Sequence, residues 1–180
     1  LQENPEIALY DLPAERTDEI KAWISIMYGC NNFCSYCVVP YTRGRERSRP
    51  SSNILAEVSA LADKGCREVT LLGQNVNSYE SDINFPGLLR KLSAVDGIRR
   101  IRFVTSHPKD LSGDLIKTIS ALPKVCEHIH LPLQSGSDAV LSHMNRRYTF
   151  ASYMQRIEEL RGMIPGISIT SDIIAGFPGE

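Results

Sequence analysis

Cys30, Cys34 and Cys37 stand at C-x3-C-x2-C spacing in the stretch Tyr-Gly-Cys-Asn-Asn-Phe-Cys-Ser-Tyr-Cys over residues 28–37, directly after the apolar run 23–27. Three thiolates in so short a loop can converge on one metal centre. A structural zinc site takes four ligands, and the next cysteine is Cys66, with no histidine near the triplet. A four-iron, four-sulfur cluster held by three thiolates leaves one iron with an open coordination position, where a small molecule can bind and be reduced. The triplet therefore points to a redox-active [4Fe–4S] cluster with an exogenous ligand. Gly29 and Asn31-Asn32 suit a tight loop whose backbone amides face the cluster sulfides.

Such a loop needs a scaffold, and the chain supplies a regular alternation of elements. Strands are expected over 23–27, 68–73, 98–104, 128–133 and 166–175. Between them, apolar residues recur at helical spacing: Ile54, Leu55, Val58, Leu61 and Ala62; Leu88, Leu89, Leu92 and Val95; Leu115, Ile116, Ile119 and Leu122. Ser137 and Asp138 offer a cap for a short helix, and Thr149 for a longer one carrying Tyr153, Ile157 and Leu160. Repeated β-α units force parallel strands with helical crossovers, and in such folds the chemistry sits at the carboxyl ends of the strands. The cysteine loop, Gln74-Asn75, Ser106-His107 and Gln134-Ser135 each follow a strand, so one rim of the sheet collects them.

Composition narrows the setting. The chain has 180 residues, 42% of them hydrophobic and 23% charged, with a net charge of −1, which is ordinary for a globular domain and excludes a uniformly basic nucleic-acid binder. No apolar run approaches the roughly 20 residues of a bilayer span. Five cysteines, three of them crowded together, do not make a secreted disulfide framework; a reducing cytoplasm is the expected setting. Residues 1–22, acidic and interrupted by Pro5 and Pro13, read as a linker or edge segment ahead of a domain over 23–180.

The cysteine triplet after a first strand, with Tyr36 just before its last member, resembles the radical S-adenosylmethionine (SAM) superfamily. Further stretches at 37–49, 71–79, 105–109, 130–138 and 172–180 resemble the methylthiotransferases within it, most closely the branch that adds a 2-methylthio group to prenylated adenosine beside the anticodon of tRNA. The resemblance implies a partial, laterally open (β/α) barrel with five of its six strands present. It implies that Cys30, Cys34 and Cys37 ligate three irons and that SAM chelates the fourth and is cleaved reductively to a 5′-deoxyadenosyl radical. It also implies an N-terminal domain with a second [4Fe–4S] cluster and a C-terminal RNA-binding domain, so that 23–180 is a truncated central domain, inactive by itself. A flavodoxin or ferredoxin is the expected reductant. A missing sixth strand leaves an edge open to strand exchange with another copy.

Individual residues carry competing readings. Tyr36 packs the loop or lies against the SAM adenine. The family's Gly-Gly-Glu is replaced by Gly73-Gln74-Asn75, whose amide oxygens can still accept from the SAM ammonium, or simply end a strand in a turn. Ser106, Gln134 and Ser135 are turn residues or line the SAM and substrate pocket. Arg43, Arg45, Arg47 and Arg49 alternate, which in an extended segment places all four on one face; they form a solvated surface or meet RNA phosphates. Arg146 is favoured as a bidentate fork for the SAM carboxylate. Cys66, Cys126, His128, His130 and His143 are read as structural. Rival functions are methylthiolation of threonylcarbamoyladenosine or of a ribosomal-protein aspartate and, in another class, a non-catalytic iron–sulfur RNA-binding module.

Overall fold

The computed structural model describes residues 20–180. Residues 1–19, nearly all of the expected linker, lie outside the described residues.

In chain order the elements are β1 (Lys21–Ser25), β2 (Met27–Tyr28), α1 (Val39–Thr42), β3 (Arg47–Ser48), α2 (Ser51–Asp63), β4 (Glu68–Leu72), α3 (Phe85–Ser93), β5 (Arg100–Phe103), α4 (Gly113–Ala121), β6 (His128–His130), α5 (Asp138–His143), α6 (Phe150–Met163) and β7 (Ser168–Thr170). β1, β4 and β5 form a parallel sheet with Trp23 opposite Thr70 and Thr70 opposite Arg102. β6 and β7 form a second parallel pair. A parallel bridge between Ile101 and Val125 links the two, and Gln134 bridges to Ile173 beyond β7. Among the described residues β7 does not return to β1, so this is an open α/β sheet and no barrel is closed.

Period-two burial explains the helix layer. In β1, Ala22 and Ile24 are buried while Lys21, Trp23 and Ser25 are exposed. Val69, Leu71, Ile101, Phe103 and Ile129 continue the buried side. α2 packs on β1, α3 packs on β5 and against both α2 and α4, and α4 packs on α6, so the apolar stripes of the helices cover one face of the sheet.

The expected caps form where a short polar side chain precedes an apolar stripe. Ser137 Oγ accepts from Val140 N–H, and Thr149 and Ser152 make a reciprocal capping box. α2 starts differently: Pro50 offers no side-chain cap, and the Asp82 carboxylate accepts instead from Ser51 N–H at 2.8 Å.

Two departures concern the first and last strands. β1 begins two residues before the expected start and ends at Ser25, and Met27–Tyr28 turns away to pair antiparallel with Arg47–Ser48. The last strand is Ser168–Thr170 only, much shorter than the strand expected over 166–175. Its length matches the three-residue ladder with β6.

Candidate functional site

Because the strands are parallel, their carboxyl ends share one rim. β2 and β3 clamp the cysteine loop there: Cys30 N–H donates to Gly44 O at 3.2 Å, and Glu46 N–H donates to Asn31 Oδ1 at 3.3 Å. Gly29 has φ +74°, and a Cβ on it would lie 2.2 Å from Arg45 O, so only glycine lets the two strands close. The other side of the loop docks on the end of α5. Ser35 N–H donates to Met144 O at 3.1 Å, Ser35 Oγ donates to His143 O at 2.8 Å, and Asn145 Nδ2 donates to Phe33 O at 2.9 Å. Asn32 N–H points at Cys30 Sγ at 3.5 Å, as a loop built to present amides to sulfur requires.

Strain gathers at the same rim. Among the described residues the non-glycine positions with left-handed backbone are Phe33, Thr105, Gln134 and Asn145, and every one lies in a loop after a strand or against the cysteine loop. Residues forced into this region mark sites whose geometry the surroundings over-determine.

Cys30 and Cys34 are buried and Cys37 is half-buried. Burial pushes the Cys30 thiol up, the Asn32 N–H pulls it back, and Glu46, Cys34 and Cys37 push it up again. A thiol so placed keeps its proton until a cation replaces it. Among the described residues no group of three His, Cys, Asp or Glu side chains closes round a single metal ion.

On the same rim, after β4 and β5, three polar atoms are buried without a hydrogen-bond partner among the described residues: Gln74 Oε1, Asn75 Oδ1 and Ser106 Oγ. The amide nitrogen of Asn75 is already engaged by Asp110 Oδ2 at 2.6 Å, which leaves its oxygen as an acceptor. Buried acceptors left open call for a ligand that donates, and an ammonium group does. Ser135 is different: its Oγ accepts from Ser137 N–H at 3.2 Å, closing the turn ahead of α5. The Gln134 backbone joins residues 172–174, its N–H donating to Asp172 O and its carbonyl accepting from Ile174 N–H, both at 2.9 Å.

Arg146 is buried against the triplet. Nη1 donates to Cys34 Sγ at 3.3 Å and to Tyr36 Oη at 3.2 Å, Nη2 to Pro132 O at 3.3 Å, and Nε to Tyr148 Oη at 2.9 Å. Burial works against its charge, but Tyr148 and Tyr36 outweigh that and raise its pKa. The guanidinium, expected as a fork for the SAM carboxylate, is engaged here by the cysteine loop and by Pro132 O beyond β6. Tyr36 also meets Phe177 edge to face at 6.5 Å, and burial raises its phenol pKa.

The arginine run splits. Arg43, Arg45 and Arg47 point outward, but Arg49 is buried, its Nη1 donating to Ser25 O at 2.6 Å and to Glu57 Oε2 at 2.8 Å. The expectation of four arginines on one face is corrected to three. Arg49 N–H bonds Ile26 O and the chain turns at Pro50 into α2, so the side chain sinks between β1 and α2.

Sequence reasoning missed Tyr148, whose Oη donates to Leu133 O at 2.7 Å while accepting from Arg146, and Asn145, which tethers the cysteine loop. Their only sequence signal was adjacency to Arg146. His107, left unassigned, is buried; its Nδ1 accepts from Lys109 N–H at 3.2 Å, and burial with Arg146 and Lys109 nearby pushes its pKa down to about 2. It is a neutral cap, packed edge-on against Tyr148 at 5.6 Å. Cys66 Sγ donates to Glu68 O, at the opposite ends of the strands from the triplet.

The Radical SAM superfamily model matches residues 24–180. The chain belongs to the radical SAM superfamily. It is 60% identical over 179 residues to the tRNA-2-methylthio-N(6)-dimethylallyladenosine synthase of Thermodesulfovibrio yellowstonii, covering 99% of this chain and 42% of that protein. It is 57% identical over 182 residues to the enzyme of the same name from Thermoanaerobacter pseudethanolicus, covering 99% and 39%. The chain thus spans about two fifths of the length of these curated relatives. Among solved structures, the radical SAM methyltransferase TsrM from Kitasatospora setae superposes with TM-score 0.73 at 20% identity, over 90% of this chain and 32% of that one, which shows the shared fold. TsrM has been solved with a [4Fe–4S] cluster bound.

A radical SAM chain takes a [4Fe–4S] cluster and SAM as cofactors. The three thiols, the docked loop and the open acceptors of Gln74, Asn75 and Ser106 fit that pair. Among the described residues no helix is long and apolar enough to cross a membrane.

Proposed function

We propose that residues 23–180 are the radical-generating core of an enzyme that adds a 2-methylthio group to prenylated adenosine beside the anticodon of tRNA. The observation that carries this reading is 60% identity across 99% of the chain to a curated synthase of that name, together with a site whose residues suit the cofactors. Cys30, Cys34 and Cys37 would hold a cluster that would supply one electron to bound SAM, radical chemistry that suits an unactivated aromatic C–H bond.

Cys30, Cys34 and Cys37 hold the irons, and Arg146 and Asn145 hold the loop that presents them. Gln74, Asn75 and Ser106 receive the amino acid end of SAM through their open polar atoms. Tyr36, Gln134 and Ser135 border the pocket. Arg43, Arg45 and Arg47 face RNA phosphates. The reading includes further domains that carry the second cluster and an RNA-binding module, a low-potential electron donor such as a flavodoxin or ferredoxin, and a cytoplasmic setting. The outer edge of β7 is where a second copy of the fragment would add.

The test is nucleoside analysis of tRNA from cells lacking the full-length protein. The expected result is loss of the 2-methylthio group from prenylated adenosine alone, restored by the intact gene and not by its Cys34→Ala variant. Loss from threonylcarbamoyladenosine instead, or no loss, overturns the proposal.

A further inference from the structure

Aromatic rings that the cofactor site does not use line the ribbon between the cysteine loop and the arginines. Tyr28 lies opposite Arg47 in the β2–β3 pair. The guanidinium carbons of Arg43 and Arg47 stand 5.6 and 6.0 Å from its ring centre, and that of Arg45 stands 4.7 Å from the Phe33 ring. Tyr41, at the end of α1, touches Phe33 edge-on at 5.8 Å and is otherwise 77% exposed. From Arg43 to Ser48 exposure alternates, so the three arginines face out while Gly44, Glu46 and Ser48 turn in.

A T-shaped contact with a single neighbouring ring, at 77% exposure, leaves at least one face of the Tyr41 ring open to solvent. Three outward cations over the half-buried Tyr28 and Phe33 rings, next to the exposed Tyr41 ring, suit a ligand with flat π-surfaces and closely spaced negative charges. An apolar protein surface would leave those cations desolvated and unpaired. Unpaired nucleotides match both features, since bases stack on aromatic rings and phosphates pair with arginine. A duplex does not match, because its base faces are already stacked.

We propose that Tyr41, with Phe33 and Tyr28 held under Arg43, Arg45 and Arg47, is a stacking platform for unpaired bases in the RNA loop that carries the target nucleotide. The inference rests on the tRNA reading and deepens it by naming what is read: single-stranded bases, gripped by a surface fastened to the cysteine loop itself. The Cys30–Gly44 bond and the close approach at Gly29 make platform and cluster loop one piece.

The test uses the full-length, cluster-loaded enzyme with an anticodon stem-loop, the same RNA made abasic at each unpaired position in turn, and a fully paired duplex. Tyr41→Ala is expected to weaken stem-loop binding about 5- to 100-fold, while Tyr41→Trp retains it. One abasic RNA should lose a similar factor, and that loss should not recur in combination with Tyr41→Ala, because both changes remove the same stack. Arg45→Ala should lower the slope of log affinity against log salt by about 0.7. The platform is overturned if Tyr41→Ala binds like the wild type, if its loss multiplies with every abasic loss, or if the duplex binds as tightly as the stem-loop. Nucleoside product is read in the same preparations. Absence of 2-methylthio product alongside an intact Tyr41 cycle sinks the enzyme reading alone, and product with no Tyr41 effect sinks the platform alone.

Discussion

Arg49 and Arg146 face into the protein, whereas Arg43, Arg45 and Arg47 face out of it. All five residue types are the same, and four of the five share one alternating run. The difference lies in what waits at the end of each side chain. Arg146 ends among a thiol, two tyrosine hydroxyls and a carbonyl. Arg49 ends on the Ser25 carbonyl and the Glu57 carboxylate. The outward three end over the half-buried Tyr28 and Phe33 rings, with their own side chains exposed. Fixed acceptors inside make an arginine part of the scaffold, and a ring beneath an exposed guanidinium leaves it available to a partner.

Substitutions can break this contrast. Arg146→Gln should have the largest effect, about 3 kcal/mol of stability, because it removes the buried guanidinium that ties Cys34 Sγ, Tyr36 Oη, Tyr148 Oη and Pro132 O together. Arg146→Lys should recover little of it, since a point charge cannot serve several acceptors in one plane. Urea midpoints of the cluster-free protein give the cost, and iron bound after anaerobic reconstitution should fall with it because the cysteine loop loses its anchor. Arg49→Ala follows at about 2 kcal/mol, less because Glu57 is partly exposed and can be rehydrated. Its iron content should stay near that of wild type, which separates a sheet-to-helix clamp from a loop anchor. Smallest are Arg43→Ala, Arg45→Ala and Arg47→Ala, each within about 0.5 kcal/mol. A cost from any one of them comparable to Arg49→Ala would erase the distinction.

The inner and outer arginines also show where reading a sequence stops. Period-two exposure held from Arg43 to Ser48, although only Arg47–Ser48 is strand and the chain turns through Gly44 at φ +73°. It failed at Arg49, where Pro50 ends the extension and α2 begins. Helix starts at Ser137 and Thr149 were legible because a cap is decided by residues within one turn. The β2–β3 ribbon was not, since two-residue strands carry no periodicity and their pairing depends on Gly29 admitting Arg45.

The site divides the same way. Spacing alone showed the triplet, and parallel topology put Gln74, Asn75 and Ser106 on its rim. That their polar atoms stay unpartnered is a fact of packing. The joining of Cys34, Tyr36, Arg146 and Tyr148 spans more than a hundred residues of chain, beyond any local signal.

By itself, then, the sequence determined the alternation of the main strands and helices, the cysteine triplet and the family, because these rest on residue type and short-range spacing. Tertiary structure decided which arginines are buried and which face solvent, which rim oxygens are buried without a protein partner, and that Tyr41 stands exposed. Those outcomes depend on burial and on partners distant in the chain, which only the packed sheet brings within reach.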